Sequence, residues 1–237
     1  MAFQDTRVQW LGHATFRITT PGGKEVLIDP FLEQNPSCPT ELKRPQRLDL
    51  ILVTHAHQDH VGDAVATAQR TGAEVVAVVE AAAWLERQGV ERVVGMNKGG
   101  SYRTQGLVVT MVHADHSTGI AQPDGTLAYG GESAGYILEM ENGTRIYHTG
   151  DTAVFGDMRL IGELYRPDLV MLPVGDFYTM GPREAAMALR LIGAPLAIPM
   201  HFGTFPALTG TPAELRAKTA DLAGLTIIPL KPGETYP

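Results

Sequence analysis

Four residues within six positions, His55, His57, Asp59 and His60, follow the apolar run LDLILVT and open the pattern THAHQDHVGD. In extended chain His55 and His57 project to the same side, so both imidazoles can reach one ion. Asp59 and His60 come after the chain has turned into a helical pattern and aim at a second position close by. Neutral imidazoles combined with a hard carboxylate suit zinc, iron or manganese. A solvated polar loop gives no reason for imidazoles to collect behind a strand, so metal binding is the reading this segment supports.

The eight histidines are His13, His55, His57, His60, His113, His116, His148 and His201. None lies in a predicted helix interior, and most follow the last apolar residues of a strand. The strands that would position them are VQWLGHATFRITT and KEVLID around a PGG turn, LDLILVTH, AEVVAVV, the stretch SYRTQGLVVTMVHADHS, a hairpin around Asn142 and Gly143, PDLVMLPV and PLAIPM. Helical patterns run from Asp59 to a stop at Gly72, over EAAAWLERQG, and over about 183–192 and 212–223. Strands with an inserted helix, followed by the same again, predict an α/β domain of two β-rich halves packed face to face with helices outside. Met111, Met171, Met187 and Met200 read as core.

With 237 residues and no visible linker or repeat, the whole chain 1–237 reads as one domain. The 19 Lys and Arg against 26 Asp and Glu give a net charge of −7, which argues against a general grip on nucleic acid or anionic membrane. The single cysteine, Cys38, excludes an intramolecular disulfide framework or a thiolate zinc cage and fits a reducing cytoplasm. Its proline-flanked loop predicts a surface thiol. No apolar stretch is long enough for a signal peptide or a membrane span.

The pattern THAHQDHVGD resembles the H-x-H-x-D-H signature of the metallo-β-lactamase fold, a four-layer αββα sandwich whose hydrolases hold two metals between two sheets. VLIDPF, HADHSTG, YHTGDT and IPMHFGTFP are similar to further motifs of that fold, so the resemblance covers nearly the whole chain. WLGHATFRI, LPVGDFYTMGP and MHFGTFP resemble a small bacterial and archaeal branch related to L-ascorbate 6-phosphate lactonase. The resemblance implies two divalent ions, zinc first, with manganese, iron or nickel as alternatives. It assigns His55, His57 and His116 to one ion, Asp59, His60 and His201 to the other, and Asp151 to both. It prefers His116 over His113, which the alternation Leu107, Val109, Met111 makes a packed or supporting residue. His148, Asp29 and Asp63 are expected to orient ligands, and His13 either faces substrate or bonds within its turn. Asp176 and Thr179 are expected to line the pocket.

Two divalent ions sharing a water bring its pKa toward about 7 and polarise the oxygen under attack. The expected activity is hydrolysis of a small ester, lactone, amide or phosphodiester by that shared hydroxide, with Asp59 or Asp151 orienting the water and taking its proton. A phosphate or carboxylate of the substrate could meet Arg183, Lys98 or loop amides, and association of copies stays open. Two rival readings exist. GESAG, residues 131–135, fits the G-x-S-x-G elbow of a serine hydrolase with Ser133 as nucleophile, although a hairpin rather than a helix follows it. A non-catalytic metal-binding module is the other, although closed structural sites use four ligands rather than seven.

Overall fold

The structure, a computed structural model, describes residues 3 and 5–237; Met1, Ala2 and Gln4, part of the N-terminal stretch read above as lacking a signal peptide, lie outside them. A first seven-stranded sheet is built from β1 (Arg7–Trp10), β2 (Phe16–Thr19), β3 (Glu25–Ile28), β4 (Leu50–Leu52), β5 (Glu74–Val78) and β6 (Val93–Met96), with C-terminal β16 (Thr235–Tyr236) on the β1 edge. The second seven-stranded sheet holds β7 (Ser101–Thr104), β8 (Leu107–His113), β11 (Ala134–Glu139), β12 (Arg145–His148), β13 (Leu169–Pro173), β14 (Leu196–Met200) and β15 (Thr226–Ile227). Between β8 and β11 a small flap pairs β9 (Ile120–Ala121) with β10 (Leu127–Ala128). Each large sheet begins antiparallel and turns parallel, at β3 in the first and at β12 in the second.

Alternation along the second sheet shows how the layers stack. Val109, Met111, Tyr136, Leu138, Ile146, Met171 and Ile198 pack with the first sheet, including Phe16, Leu27 and Leu52. The intervening Val112, Ile137, Tyr147, Val170 and Ala197 pack instead on Met158, Ile161, Ala185, Leu189 and Leu215. Those partners belong to α4 (Met158–Tyr165), α5 (Pro182–Ile192) and α6 (Pro212–Lys218). On the first sheet, α1 (Gln58–Val61), α2 (Ala64–Thr71) and α3 (Val79–Arg87) supply Val61, Ala64, Ala68, Ala81 and Leu85 to its cluster. The result is helices, sheet, sheet, helices, the αββα order expected.

Several elements differ from the expectation. The run VQWLGHATFRITT is two strands: Leu11 and Thr15 close a tight turn, with Gly12 at φ 94°, and put His13 at a hairpin tip. The helix expected from Asp59 breaks at Gly62 and Asp63, and α6 stops at Lys218. Gly72 does end α2, in the left-handed conformation. Cys38 is buried in the core, where burial pushes its thiol up to about 11, and Met187 is 51% exposed on α5. Among the described residues no helix is long and apolar enough to cross a membrane.

Candidate metal centre

The parallel strands end at one edge of the sandwich, and the loops leaving them converge there. β3 leads to Asp29, β4 to the segment 53–60, β8 to His116, β12 to Asp151 and β14 to His201, while the β1–β2 turn brings His13. The amide of His201 donates to the carbonyl of His13 at 3.0 Å, which ties the two sheets together at this edge. Three of these residues turn the chain through the left-handed region, His13 at φ 55°, Asp29 at φ 50° and His201 at φ 54°. Such conformations cost a non-glycine residue about 1 kcal/mol or more and collect at functional sites.

Among the described residues, side chains gather into three donor groups: His55, His57 and His116; His13, Asp59, His60 and His201; and Asp29 with His55 and His60, the last bonded internally. In the first, His55 Nε2 lies 3.0 Å from His57 Nδ1, and the His116 ring sits 5.1 and 5.2 Å, centroid to centroid, from those of His55 and His57. Asp151 lies between the first two groups. Its Oδ2 is 2.9 Å from His201 Nε2, 3.2 Å from His60 Nε2 and 3.9 Å from His116 Nε2. Yet His60 Nε2, both ring nitrogens of His201 and Asp151 Oδ1 are buried without a hydrogen-bond partner. Buried polar atoms are nearly always satisfied, so the unpartnered Nε2 atoms of His60 and His201 beside the Asp151 carboxylate fit a cation held among them.

A buried aspartate sets the proton positions. Asp29 accepts from the Thr54 amide at 2.7 Å, the Thr54 hydroxyl at 2.7 Å and His60 Nδ1 at 2.8 Å. Because the Thr54 proton goes to Asp29, Thr54 Oγ1 accepts from His55 Nδ1 at 3.1 Å. Both His55 and His60 thereby carry a proton on Nδ1 and turn Nε2 toward the gap, the orientation metal-bound imidazoles take from such partners.

The electrostatics agree with metal binding. Burial lowers His55, His57 and His116 from the ordinary imidazole value, so they are neutral imidazoles at pH 7, the form that can donate to a metal. His13 is lowered to about 4 by burial and by the nearby His201. Burial alone would raise Asp59 and Asp151. The His13 hydrogen bond and His60 reverse this for Asp59, and His201 and His60 do so for Asp151, holding both below the usual carboxylate range. His60 moves the other way: burial opposes its charge, but Asp151 and Asp29 raise it well above the ordinary value. A cation beside Asp151 would supply the positive charge that the His60 proton otherwise supplies.

Above this floor opens a cleft of about 690 Å³, lined by His57, Asp59, His116, Ser117, Asp151, His201, Tyr178, Phe205, Pro206 and Ala207. A family model for the β-lactamase superfamily domain matches residues 24–202. The chain is 54% identical over 230 residues to a UPF0173 metal-dependent hydrolase of Rubrobacter xylanophilus, covering 97% of this chain and 95% of that one. The chain belongs to the UPF0173 metal-dependent hydrolases of the metallo-β-lactamase superfamily. A relative from Koribacter versatilis is 49% identical over 236 residues, the full length of both chains. The solved structure of Igni18, a metallo hydrolase from the hyperthermophilic archaeon Ignicoccus hospitalis, matches with a TM-score of 0.85 at 33% identity, over 98% of this chain and 97% of that one.

Within this hydrolase the remaining sequence candidates divide. His13 joins the second donor group: its Nε2 bonds Asp59 Oδ2 at 3.0 Å, and Thr204 Oγ1 holds its Nδ1 at 3.0 Å. His148 hydrogen-bonds to backbone. It donates to the Ala14 carbonyl at 3.0 Å and accepts from the Gly150 amide at 3.1 Å, clamping the turns that carry His13 and Asp151. Asp63 accepts from the amides of Leu32 and Glu33 and fixes the loop after Asp29. His113 is exposed, beside Lys98 at 3.2 Å and edge-on to Phe155, so it is not the packed residue the alternation suggested. Asp176 does not line the cleft; its carboxylate accepts from the Phe177 amide at 2.7 Å, and Tyr178 is the lining residue of that loop. Thr179 is likewise absent from the lining. Sequence reading passed over Thr54, Thr204, Tyr178 and Phe205, whose roles depend on partners distant in the chain.

Ser133 does not sit on a nucleophile elbow. It is buried, strand β11 rather than a helix follows it, and its hydroxyl donates to the Asp151 carbonyl at 3.4 Å. Backbone crowding matters more. A Cβ on Gly175 would lie 1.9 Å from the His201 carbonyl oxygen. Gly175→Ala should therefore displace His201, costing about 1–3 kcal/mol of stability as overpacking does and lowering metal content. Thermal unfolding together with elemental analysis checks both effects; an alanine variant with unchanged values would show that the loop shifts without cost.

Proposed function

We propose that this hydrolase holds two divalent cations on the cleft floor and uses water to cleave a small ester, lactone or phosphodiester. His55, His57 and His116 would hold one ion, Asp59, His60 and His201 the other, with Asp151 contacting both. The observation that carries this reading is two donor groups with the Asp151 carboxylate between them, and buried histidine and aspartate atoms left without a hydrogen-bond partner. When bound, such ions supply an attacking water whose pKa falls toward about 7 and a Lewis acid for the oxygen under attack. Zinc is the first expectation for this ligand set, with manganese, iron and nickel as alternatives.

The chain's own groups have separable tasks. Asp59 has a side chain 30% exposed to the cleft while that of Asp151 is 3% exposed. Asp59 is thus the carboxylate able to orient a water and take its proton, and Asp151 the one that holds the donor groups together. His13, anchored by Thr204, fixes one oxygen of Asp59, a residue that lines the cleft. A structural metal site would be closed on all sides. The open cleft over Asp59 favours catalysis instead. Kinship with the branch that includes L-ascorbate 6-phosphate lactonase rests on WLGHATFRI and LPVGDFYTMGP, and a cytoplasmic setting on the single free thiol of Cys38.

Chelation and reloading test the reading. Removing metal should lower turnover of butyrolactone or bis(4-nitrophenyl) phosphate by roughly 100-fold or more, with recovery on adding zinc or manganese. Ser133→Ala should retain activity within about threefold, as expected for a residue with no nucleophilic part in the reaction. Activity that survives chelation but disappears in Ser133→Ala would replace this mechanism with a serine one.

A further inference from the structure

The cleft has a polar floor and one wall of different character, made by Tyr178, Phe205, Pro206 and Ala207. Among the described residues lining it there is no lysine or arginine. The two cations that sequence offered for a substrate phosphate or carboxylate are not there. Lys98 pairs with Glu132 and His113, and Arg183 is exposed beside Glu184. An anionic group placed on this wall would lose water without gaining a counter-charge.

The loop carrying Tyr178 is built at a cost. Asp176 and Phe177 both occupy the left-handed region, at φ 67° and 60°, where non-glycine residues are uncommon. They are held there by the Asp176 amide to the Met180 carbonyl at 3.1 Å and by the Phe177 amide to the Asp176 carboxylate. What this strain achieves is exposure: Phe177 is 72% and Tyr178 56% accessible, their rings edge-to-face at 4.7 Å. Backbone strain and exposed aromatic surface on the rim of a cleft both mark ligand contact. Phe205 is fixed edge-on to His13 at 5.4 Å and tilted against Phe31 at 6.5 Å, so the wall meets the floor rigidly.

We propose that the non-reacting part of the substrate is uncharged and apolar, about the size of an aromatic ring, and packs against Tyr178 and Phe205 while the scissile group lies over the histidines and aspartates. This rests on the hydrolytic reading above and narrows it. A ring on this wall removes apolar surface from water and gains edge or stacking contacts. The cleft volume of about 690 Å³ is ordinary for a small-molecule pocket. Substrates bearing a remote phosphate are disfavoured by the same wall.

Three lactones test it on the metal-loaded full chain: butyrolactone, γ-phenyl-butyrolactone and a butyrolactone bearing a terminal phosphate. The phenyl compound should have kcat/KM about tenfold above butyrolactone, and the phosphate compound should fall below both. Tyr178→Ala and Phe205→Ala should each cut the phenyl-to-butyrolactone ratio several-fold, mainly through KM, while Arg183→Ala and Lys98→Ala leave the ratios unchanged. A preference for the phosphate compound, or a phenyl preference untouched by both wall variants, overturns the proposal. Calorimetric binding of the phenyl lactone separates this from the hydrolytic reading. If none of the three is cleaved, the lactone part of the reaction assignment fails, yet binding weakened by Tyr178→Ala still supports the wall, and absence of binding overturns it.

Discussion

Asp151→Ala is expected to empty both of the proposed metal positions and to lower turnover on the order of 10³-fold or more, since the attacking water and the Lewis acid would be lost together. The reason is positional. One buried oxygen, Asp151 Oδ2, lies within 2.9 Å of His201, 3.2 Å of His60 and 3.9 Å of His116, so it faces both donor groups. Asp59→Ala and His60→Ala should differ from it. Each removes a donor from the group containing His201 and leaves His55, His57 and His116 intact, so roughly half the metal should remain. Elemental analysis of the purified variants distinguishes the outcomes, with circular dichroism verifying that each is folded. Equal metal content in all three variants and the parent chain would sink the assignment of these residues as ligands.

The parts of this centre that sequence made legible are those whose signals are local. LDLILVTH reads as a buried strand because β4 is covered on both faces, and the ligand types crowd directly behind it. His13 could not be resolved, because the Asp59 it contacts is 46 positions away and the Thr204 that anchors it 191 away. Helix α4 escaped notice for a packing reason. Gly162 weakens its helical pattern, yet a Cβ there would lie 2.1 Å from the Ile192 carbonyl at the end of α5, so close contact between the helices requires the glycine. Asp176 looked like a pocket residue by type, but two consecutive left-handed residues rotate the loop so that Tyr178 faces the cleft. Composition gives no sign of such backbone geometry. Cys38 and Met187 exchanged expected environments because loop and helix positions were judged without knowing which face is covered.

Asp29→Asn should separate folding from metal binding, because it preserves shape and reverses proton direction. The Thr54 amide is an obligate donor, so the carbonyl oxygen of the introduced side chain must take the place of the oxygen it now meets at 2.7 Å. That leaves the new NH₂ group facing the Thr54 hydroxyl and His60 Nδ1, where the carboxylate now accepts from both. Donation from NH₂ forces His60 to carry its proton on Nε2. A Thr54 hydroxyl that accepts from this NH₂ turns its own proton toward His55 Nδ1, with the same consequence for the His55 ring. Each Nε2 lone pair that faces the gap is thus replaced by an N–H. Metal affinity should fall by about 10–100-fold, the usual effect of losing a partner that orients a ligand. Asp29→Ala, by contrast, strands three buried groups and should cost about 3 kcal/mol, a fall of roughly 10 °C in Tm. Imidazole ¹⁵N spectra of the chelated protein would report the tautomer change directly at His55, which burial keeps neutral, and chelator competition the affinity. An Asp29→Asn protein that binds metal as tightly as the parent would mean that the Asp29 and Thr54 relay does not govern which nitrogen is bare.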